Sequence, residues 1–210
     1  MNSQQALSKL TAGVAKFHSE VFPQQRLLFD QLRSRQSPMA LFFTCADSRI
    51  VPNLILQTGP GDIFTERTPG NIVPKYSDHV GGVTASMEFA VKALHVPLII
   101  VCGHTDCGVM KALLTPEQAS GMPALQSWMR HSQAARERLI RDDARLTQEE
   151  KLRKITEYNV LTQVDNLRSH PAVEAALAAR QLEVYGWIYD IGNGTVAAAD
   201  ESGVFQPLTS

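Results

Sequence analysis

The apolar run Leu98-Ile99-Ile100-Val101-Cys102 constrains the fold of this chain more than any other segment. It is short and rich in β-branched residues, which is typical of a parallel strand covered on both faces. Segments with helical apolar spacing separate it from further predicted strands, which lie at 39–44, 63–67, 182–191 and 195–198. Strands that alternate with helices predict an α/β fold with a mostly parallel central sheet flanked by helices.

Helical patterns occupy the N-terminal region of the sequence and most of residues 123–169. Ala6, Leu7, Leu10, Val14 and Phe17 form a one-sided stripe, which predicts an amphipathic helix. We expect a break at Phe22-Pro23 and a second helix that ends before Ser37-Pro38. Residues 123–169 predict long charged helices. The whole chain, 1–210, is therefore interpreted as a single domain with a helical N-terminal extension over residues 1–36.

Composition excludes several functional classes. The chain has 210 residues, of which 44% are hydrophobic and 20% charged, and its formal net charge is −1. This balance gives no electrostatic reason to expect nucleic acid or an anionic membrane as a partner. The polar start and the lack of a long apolar run predict neither a signal peptide nor a membrane span. We therefore expect a cytoplasmic protein whose three cysteines form no disulfide framework.

Two polar segments follow predicted strands directly. Cys45-Ala46-Asp47-Ser48-Arg49 comes after one strand, and His104-Thr105-Asp106-Cys107 comes after another. The carboxyl ends of parallel strands meet at one edge, where ligands bind in such sheets. Zinc prefers thiolate and imidazole ligands, and three protein ligands leave a position open for chemistry. Spacing alone leaves an equal alternative, in which these are unrelated loop residues.

The same segments resemble the signatures of the β-class carbonic anhydrases. Residues 45–49 resemble the first signature, together with Gly61-Asp62-Ile63-Phe64 and Arg67-Thr68-Pro69-Gly70-Asn71. Residues 102–108 resemble the second signature. Segments 82–91 and 186–190 are also similar to that family, so the resemblance spans nearly the whole chain. It implies a Zn²⁺ cofactor and reversible hydration of CO2 to bicarbonate and a proton by zinc-bound hydroxide.

The resemblance also implies roles for individual residues. Cys45, His104 and Cys107 are the implied zinc ligands, Asp47 the acceptor of a hydrogen bond from the hydroxide, and Arg49 the residue that holds Asp47. Gln36, Phe64 and the Gly108 backbone N–H are implied in substrate binding. Cys102 is predicted to be a core residue and Asp106 a turn residue. A ligand set with two thiolates predicts activity that leans towards alkaline pH.

Two departures from the family patterns define the expected branch. Phe89 stands where a tyrosine is usual in the plant-like branch. A bicarbonate-inhibition site in a second branch uses Trp, Arg and Tyr; Arg67 and Tyr189 match two of these positions, but Phe42 replaces the Trp. Phenylalanine lacks the indole donor. Gln36 and Phe42 therefore favour the plant-like branch, and Phe89 makes the match to that branch incomplete. We expect an open, water-bound zinc that bicarbonate does not inhibit in this manner.

Other interpretations of the sequence stay open. A related zinc hydrolase would act on CS2 or COS. A non-catalytic carbonic-anhydrase-like module would use Asp47 as a fourth zinc ligand. The resemblance further implies self-association as a dimer or tetramer, with the 1–36 arm packed on the partner subunit and with Gln36 and Phe64 serving the partner's zinc.

Overall fold

The computed structural model describes residues 1–76, 81–142 and 145–208. Its contacts divide the chain into two compact units, Met1–Gln36 and Ser37–Ser210. No helix in these described ranges combines the length and the apolar character needed to cross a membrane.

The N-terminal unit is helical, as predicted. It contains α1 (Ser3–Lys16), a π-helical stretch (Phe17–Val21), α2 (Phe22–Gln24) and α3 (Arg26–Leu32). A capping box between Asn2 and Gln5 starts α1. None of the residues in α1, α2 or α3 is buried, although the rings of Phe17, Phe22 and Phe29 pack against one another.

The predicted break at Phe22-Pro23 is wrong, because helical structure continues through Pro23 to Gln24. The Phe22 N–H bonds the carbonyl of Phe17, five residues back, in the wide π-helical turn. Pro23 follows this stretch in the first turn of α2, where a residue without an N–H is tolerated. The chain turns at Gln25 instead.

The second unit is built on a six-stranded sheet in the order β2-β1-β3-β4-β5-β6. The pairs among β1 to β4 are parallel, whereas β5 and β6 add antiparallel pairs at one edge. The prediction of a mostly parallel α/β sheet is confirmed. The short β6 was not predicted. The strands are β1 (Ala40–Cys45), β2 (Ile63–Thr68), β3 (Leu98–His104), β4 (Glu183–Tyr189), β5 (Val196–Ala199) and β6 (Phe205–Pro207).

Seven α-helices accompany this sheet in the described part of the unit. They are α4 (Pro52–Leu56), α5 (Gly82–Lys92), α6 (Gly108–Leu114), α7 (Pro123–Met129), α8 (Gln133–Asp142), α9 (Gln148–Arg168) and α10 (Pro171–Ala178). The long α9 lies against β3 and β4, and a large apolar core joins it to α5 and α10. The short helices α4 and α10 were not predicted.

The other face of the sheet carries a smaller apolar cluster around Phe42, Ile100 and Cys102. Cys102 is buried, as predicted, and its burial raises the pKa of its thiol to about 12. This thiol is therefore an inert part of the core at neutral pH.

Candidate metal centre

Three side chains converge at the carboxyl edge of the sheet. Cys45 is the last residue of β1, His104 is the last residue of β3, and Cys107 is the N-cap of α6. Because β1 and β3 are parallel neighbours, their ends meet at this edge. All three residues are buried, and their ligand atoms lie within 4.8 Å of one another.

The geometry of this group fits a tetrahedral metal ion. The two sulfur atoms are 4.0 Å apart, close to the roughly 3.8 Å expected between two thiolates on one zinc ion. The Nδ1 atom of His104 lies 2.8 Å from the Thr105 carbonyl, so Nδ1 carries the proton and donates it. The lone pair is then on Nε2, which is buried and has no hydrogen-bond partner within the described residues. The unpaired Nε2 atom, buried near the two sulfur atoms, can therefore serve as the third ligand of a metal ion.

The two thiols of this group differ in acidity. The Cys107 thiol can donate to Cys45, and this hydrogen bond, together with the one from the Gly70 N–H, lowers the pKa of Cys45 against the effect of burial. The same hydrogen bond and burial raise the pKa of Cys107. Both sulfurs would have to be deprotonated to bind a metal ion, so metal binding would release protons.

Arg49 grips the carboxylate of Asp47. Its Nε donates to Oδ1 at 3.0 Å, its Nη2 donates to Oδ2 at 2.8 Å, and its backbone N–H donates to Oδ1 at 2.9 Å. These bonds hold the pKa of Asp47 well below its usual range. The Asp47 Oδ2 atom lies 3.9 Å from Nε2 of His104. An ionised carboxylate thus lies next to the ligand set while its oxygens are occupied by Arg49.

Asp106 contributes a contact that sequence reasoning missed. It has the left-handed backbone of a turn residue, with φ of 59°. Its carboxylate also accepts a hydrogen bond from Nη1 of Arg49 at 3.1 Å, its carbonyl accepts one from Nη2, and Lys111 forms an ion pair with it. An arginine has five N–H donors, which are more than one carboxylate can satisfy. A second acidic residue expected at the same edge of the sheet could therefore have predicted the contact between Arg49 and Asp106.

Arg67 also binds this edge, through backbone carbonyls. Its Nε donates to the carbonyl of Cys45 at 3.1 Å and its Nη2 donates to that of Asp47 at 2.6 Å. Phe42, at the position where the second branch has tryptophan, packs edge-on against Trp187. The expectation that bicarbonate does not inhibit at this position stays a prediction.

A cavity of about 350 Å³ opens beside the ligand set. Cys45, Asp47, Cys107 and Gly108 line one part of it. Its apolar part is formed by Val109, Ala112, Met122 and Leu125. A small cavity with apolar walls and a few polar groups suits a small neutral molecule.

The two other predicted substrate residues have different surroundings. Phe64 is half-buried on β2, where its ring packs against Phe89 at 6.1 Å between centroids, and it is not among the described residues that line the cavity. Gln36 is the last residue of the N-terminal unit, where it is exposed and lies beyond the end of α3. Their roles stay predictions.

Comparison with known proteins gives consistent results. The sequence model of the carbonic anhydrase family matches residues 40–196. A carbonic anhydrase of Pseudomonas aeruginosa is 42% identical over 188 residues, which is 90% of this chain and 85% of that protein. The structure of the β-carbonic anhydrase CcaA superposes with a TM-score of 0.93 at 40% identity, covering 98% of this chain and 93% of that one.

A more distant solved relative has a known assembly. It is one of two tetrameric β-carbonic anhydrases from the filamentous ascomycete Sordaria macrospora. It superposes with a TM-score of 0.75 at 30% identity, covering 99% of this chain and 96% of that one.

Proposed function

Because the chain belongs to the β-class carbonic anhydrase family, we propose that it catalyses the reversible hydration of CO2 to bicarbonate and a proton at the site of Cys45, His104 and Cys107. The observation that carries this proposal is an incomplete ligand set of three buried side chains beside an apolar cavity. Three protein ligands leave one coordination position for a reactant, which distinguishes a catalytic from a structural zinc site.

We propose Zn²⁺ as the cofactor. The donor set favours it, since two thiolates and one imidazole are ligands that zinc prefers in a tetrahedral arrangement. When bound, zinc supplies Lewis acidity that makes water nucleophilic near neutral pH. The side chains of this protein then have to orient that nucleophile, admit CO2 and accept a proton.

Asp47 is the proposed orienting group for the nucleophile. Its carboxylate is ionised and lies 3.9 Å from the free nitrogen of His104, so it can accept a hydrogen bond from a water molecule in the open position. Arg49 keeps that carboxylate in place through two side-chain bonds and one backbone bond. The apolar walls of the cavity suit CO2, which has no net dipole, and the Gly108 backbone is the proposed contact for the bound substrate.

The contacts of Asp47 argue against the non-catalytic alternative. A structural site would need Asp47 as a fourth ligand, yet both carboxylate oxygens accept bonds from Arg49. Breaking this bidentate pair would cost more than breaking an ordinary neutral hydrogen bond. The alternative of a related hydrolase that acts on CS2 or COS depends on which molecules can enter the cavity. Activity assays with CO2, COS and CS2 would distinguish that hydrolase from a carbonic anhydrase.

We also propose that the chain works as a dimer or tetramer in the cytoplasm. Self-association is supported by the exposed apolar residues of the N-terminal unit, which we propose packs on a partner subunit. Gln36 and Phe64 would then contribute to the partner's substrate pocket. A reducing compartment is supported by the ligand set, because two of its members are free cysteines.

The deciding experiment is stopped-flow CO2 hydration with metal-loaded and chelated protein. We expect activity in the loaded enzyme, loss of activity after chelation and recovery when Zn²⁺ is returned. Cys107→Ala is expected to bind no zinc tightly and to be inactive, because it removes one of three ligands. The matched control is Cys102→Ala, which removes a buried thiol outside the ligand set. A zinc-loaded wild-type protein without CO2 hydration would contradict the proposal.

A further inference from the structure

We propose that Trp128 is a positioning residue that tunes the Cys45 sulfur through the peptide unit between Pro69 and Gly70. This inference rests on the proposed zinc site and adds a residue that lies on α7, outside the ligand set and its signatures. The argument concerns one peptide unit and the two hydrogen bonds at its ends.

The C=O group and the N–H group of that peptide unit each form a hydrogen bond with a different side chain. The Nε1–H of Trp128 donates to the Pro69 carbonyl at 3.0 Å. The Gly70 N–H of the same unit donates to Cys45 Sγ at 3.3 Å. In a trans peptide the C=O and N–H groups point in opposite directions. A donor at the oxygen therefore polarises the N–H and strengthens its bond to the sulfur, because hydrogen bonds in a chain reinforce one another.

The backbone of Gly70 has a left-handed conformation in a crowded position, and its N–H points to the sulfur. Its φ is +70°, and a Cβ at this position would lie 2.8 Å from Cγ1 of Val109, so only glycine fits. On the next peptide, Asn159 Nδ2 donates to the Gly70 carbonyl at 3.0 Å. Asn159 is itself buried and accepts bonds from Ser132 and Gln163. Side chains from α7 and α9 thus bind the carbonyls on both sides of Gly70.

The hydrogen bond from the Gly70 N–H to Cys45 is therefore supported by side chains that lie far from it in the sequence. Trp128 is 59 residues from Pro69 in sequence, and Asn159 is 89 residues from Gly70. Outer-shell hydrogen bonds orient metal ligands and tune their electron donation, and losing one typically costs about 10- to 100-fold in metal affinity or activity. Because Trp128 acts through one intervening peptide, we expect an effect near the lower end of that range.

The test uses Trp128→Phe, which keeps an aromatic ring but removes the N–H donor. The matched control is Trp187→Phe, since the chain has only two tryptophans and Trp187 packs against Phe42 instead. Each protein is loaded with Co²⁺, and the energy of its sulfur-to-cobalt charge-transfer band is measured. The rate of Zn²⁺ release to a chelator is measured in parallel.

We expect the charge-transfer band of Trp128→Phe to move to lower energy, because a sulfur with a weaker hydrogen bond gives up an electron more easily. Zinc release should become about tenfold faster, because a thiolate that has lost hydrogen-bond support is protonated more easily and then leaves the metal. Trp187→Phe should change neither quantity. A purely structural effect of the substitution would lower stability without moving the band. Trp128→Tyr also lacks the indole donor and provides a second variant with the same expected shift.

An unshifted band in either folded Trp128 variant would overturn the proposal, as would an equal shift in Trp187→Phe. The band comparison needs cobalt uptake but no turnover. A shift in a protein that does not hydrate CO2 would therefore support this inference while overturning the proposed function.

Discussion

Arg49 is the residue on which the position of the Asp47 carboxylate depends. It binds both oxygens of Asp47, and its remaining donors reach the carboxylate and the carbonyl of Asp106. Lys111 and Arg49 together lower the pKa of Asp106, so this second acceptor is charged as well. The guanidinium is therefore fixed between two carboxylates, and its planar fork suits that geometry better than a lysine would.

Arg49→Ala is expected to lower kcat/KM for CO2 hydration by about 100-fold, because Asp47 loses its anchor and proton-handling groups contribute at least about that much. Asp106→Asn keeps an acceptor and loses only charge in an exposed ion pair, so we expect a change of about fivefold or less. The control is Asp165→Asn, which disrupts an exposed pair with Arg168 on α9. Stopped-flow assays of zinc-loaded proteins give these values. Wild-type activity in Arg49→Ala would remove the proposed role of this pair.

Among the secondary-structure elements, the close contact of α9 with the sheet depends on two glycines, one in β3 and one in β4. A Cβ on Gly103 in β3 would lie 2.7 Å from Cγ2 of Val160, and one on Gly186 in β4 would lie 2.8 Å from Cγ1 of the same residue. Val160 is fully buried on the face of α9 that packs over both strands. The helix thus approaches the backbone of β3 and β4 directly, and it brings Asn159 towards the Gly70 carbonyl.

Gly103→Ala should reduce the free energy of unfolding by about 1–3 kcal/mol, the usual effect of adding a methyl group to a tightly packed core. Gly82→Ala is the matched control, because it begins α5 and a Cβ there has no neighbour within 4 Å. Combining Gly103→Ala with Val160→Ala should leave less destabilisation than the two single changes predict when added. Urea unfolding with a chelator present measures wild type and the four variants, including Val160→Ala alone, without a contribution from bound metal.

A Gly103→Ala protein as stable as wild type would show that α9 can shift without cost. Simple additivity in the double variant would show that the two positions do not compete for the same space.

The apolar stripe of the N-terminal unit is the feature that matters at the scale of the whole molecule. Leu7, Leu10 and Val14 are 63%, 70% and 68% exposed. They lie on one side of α1, as the sequence predicted, yet α1 contains no buried residue. A contiguous apolar face of this kind is typical of an interaction surface.

Replacing Leu7, Leu10 and Val14 together by serine is expected to shift the protein from the proposed dimer or tetramer towards monomers, because the proposed subunit contact loses its apolar side chains. The control changes Ser8 and Ala12 to glutamine on the opposite side of the same helix. Sedimentation velocity over a range of concentrations measures the distribution. An unchanged distribution in the triple variant would contradict the proposed role of the 1–36 arm.

Local sequence patterns were sufficient for the main elements, whereas the predicted ligand set came from the resemblance to the β-class carbonic anhydrases, since spacing alone left it undecided. The apolar runs placed β1 to within one residue, and they identified β2, β3 and the β4–β5 pair. The alternation of strands and helices predicted a parallel sheet, so Cys45 and His104 were expected at the same edge. The elements β6 and α4 escaped because they are too brief to show a period. The eight-residue α10 escaped because half of its residues are alanine, which marks neither an apolar nor a polar face. The helix through Pro23 escaped because the π-helical turn before it has no clear sequence pattern.

The sequence by itself determined the α/β class and the residue types that can bind zinc, because both depend on local periodicity and on side-chain chemistry. Only the tertiary structure decided how that chemistry is held. The contact of Arg49 with Asp106 spans 57 residues, and the contacts of Trp128 and Asn159 with the Pro69–Gly70 segment span 59 and 89. Such contacts depend on how helices pack on the sheet, and side-chain packing leaves no periodic trace in the sequence.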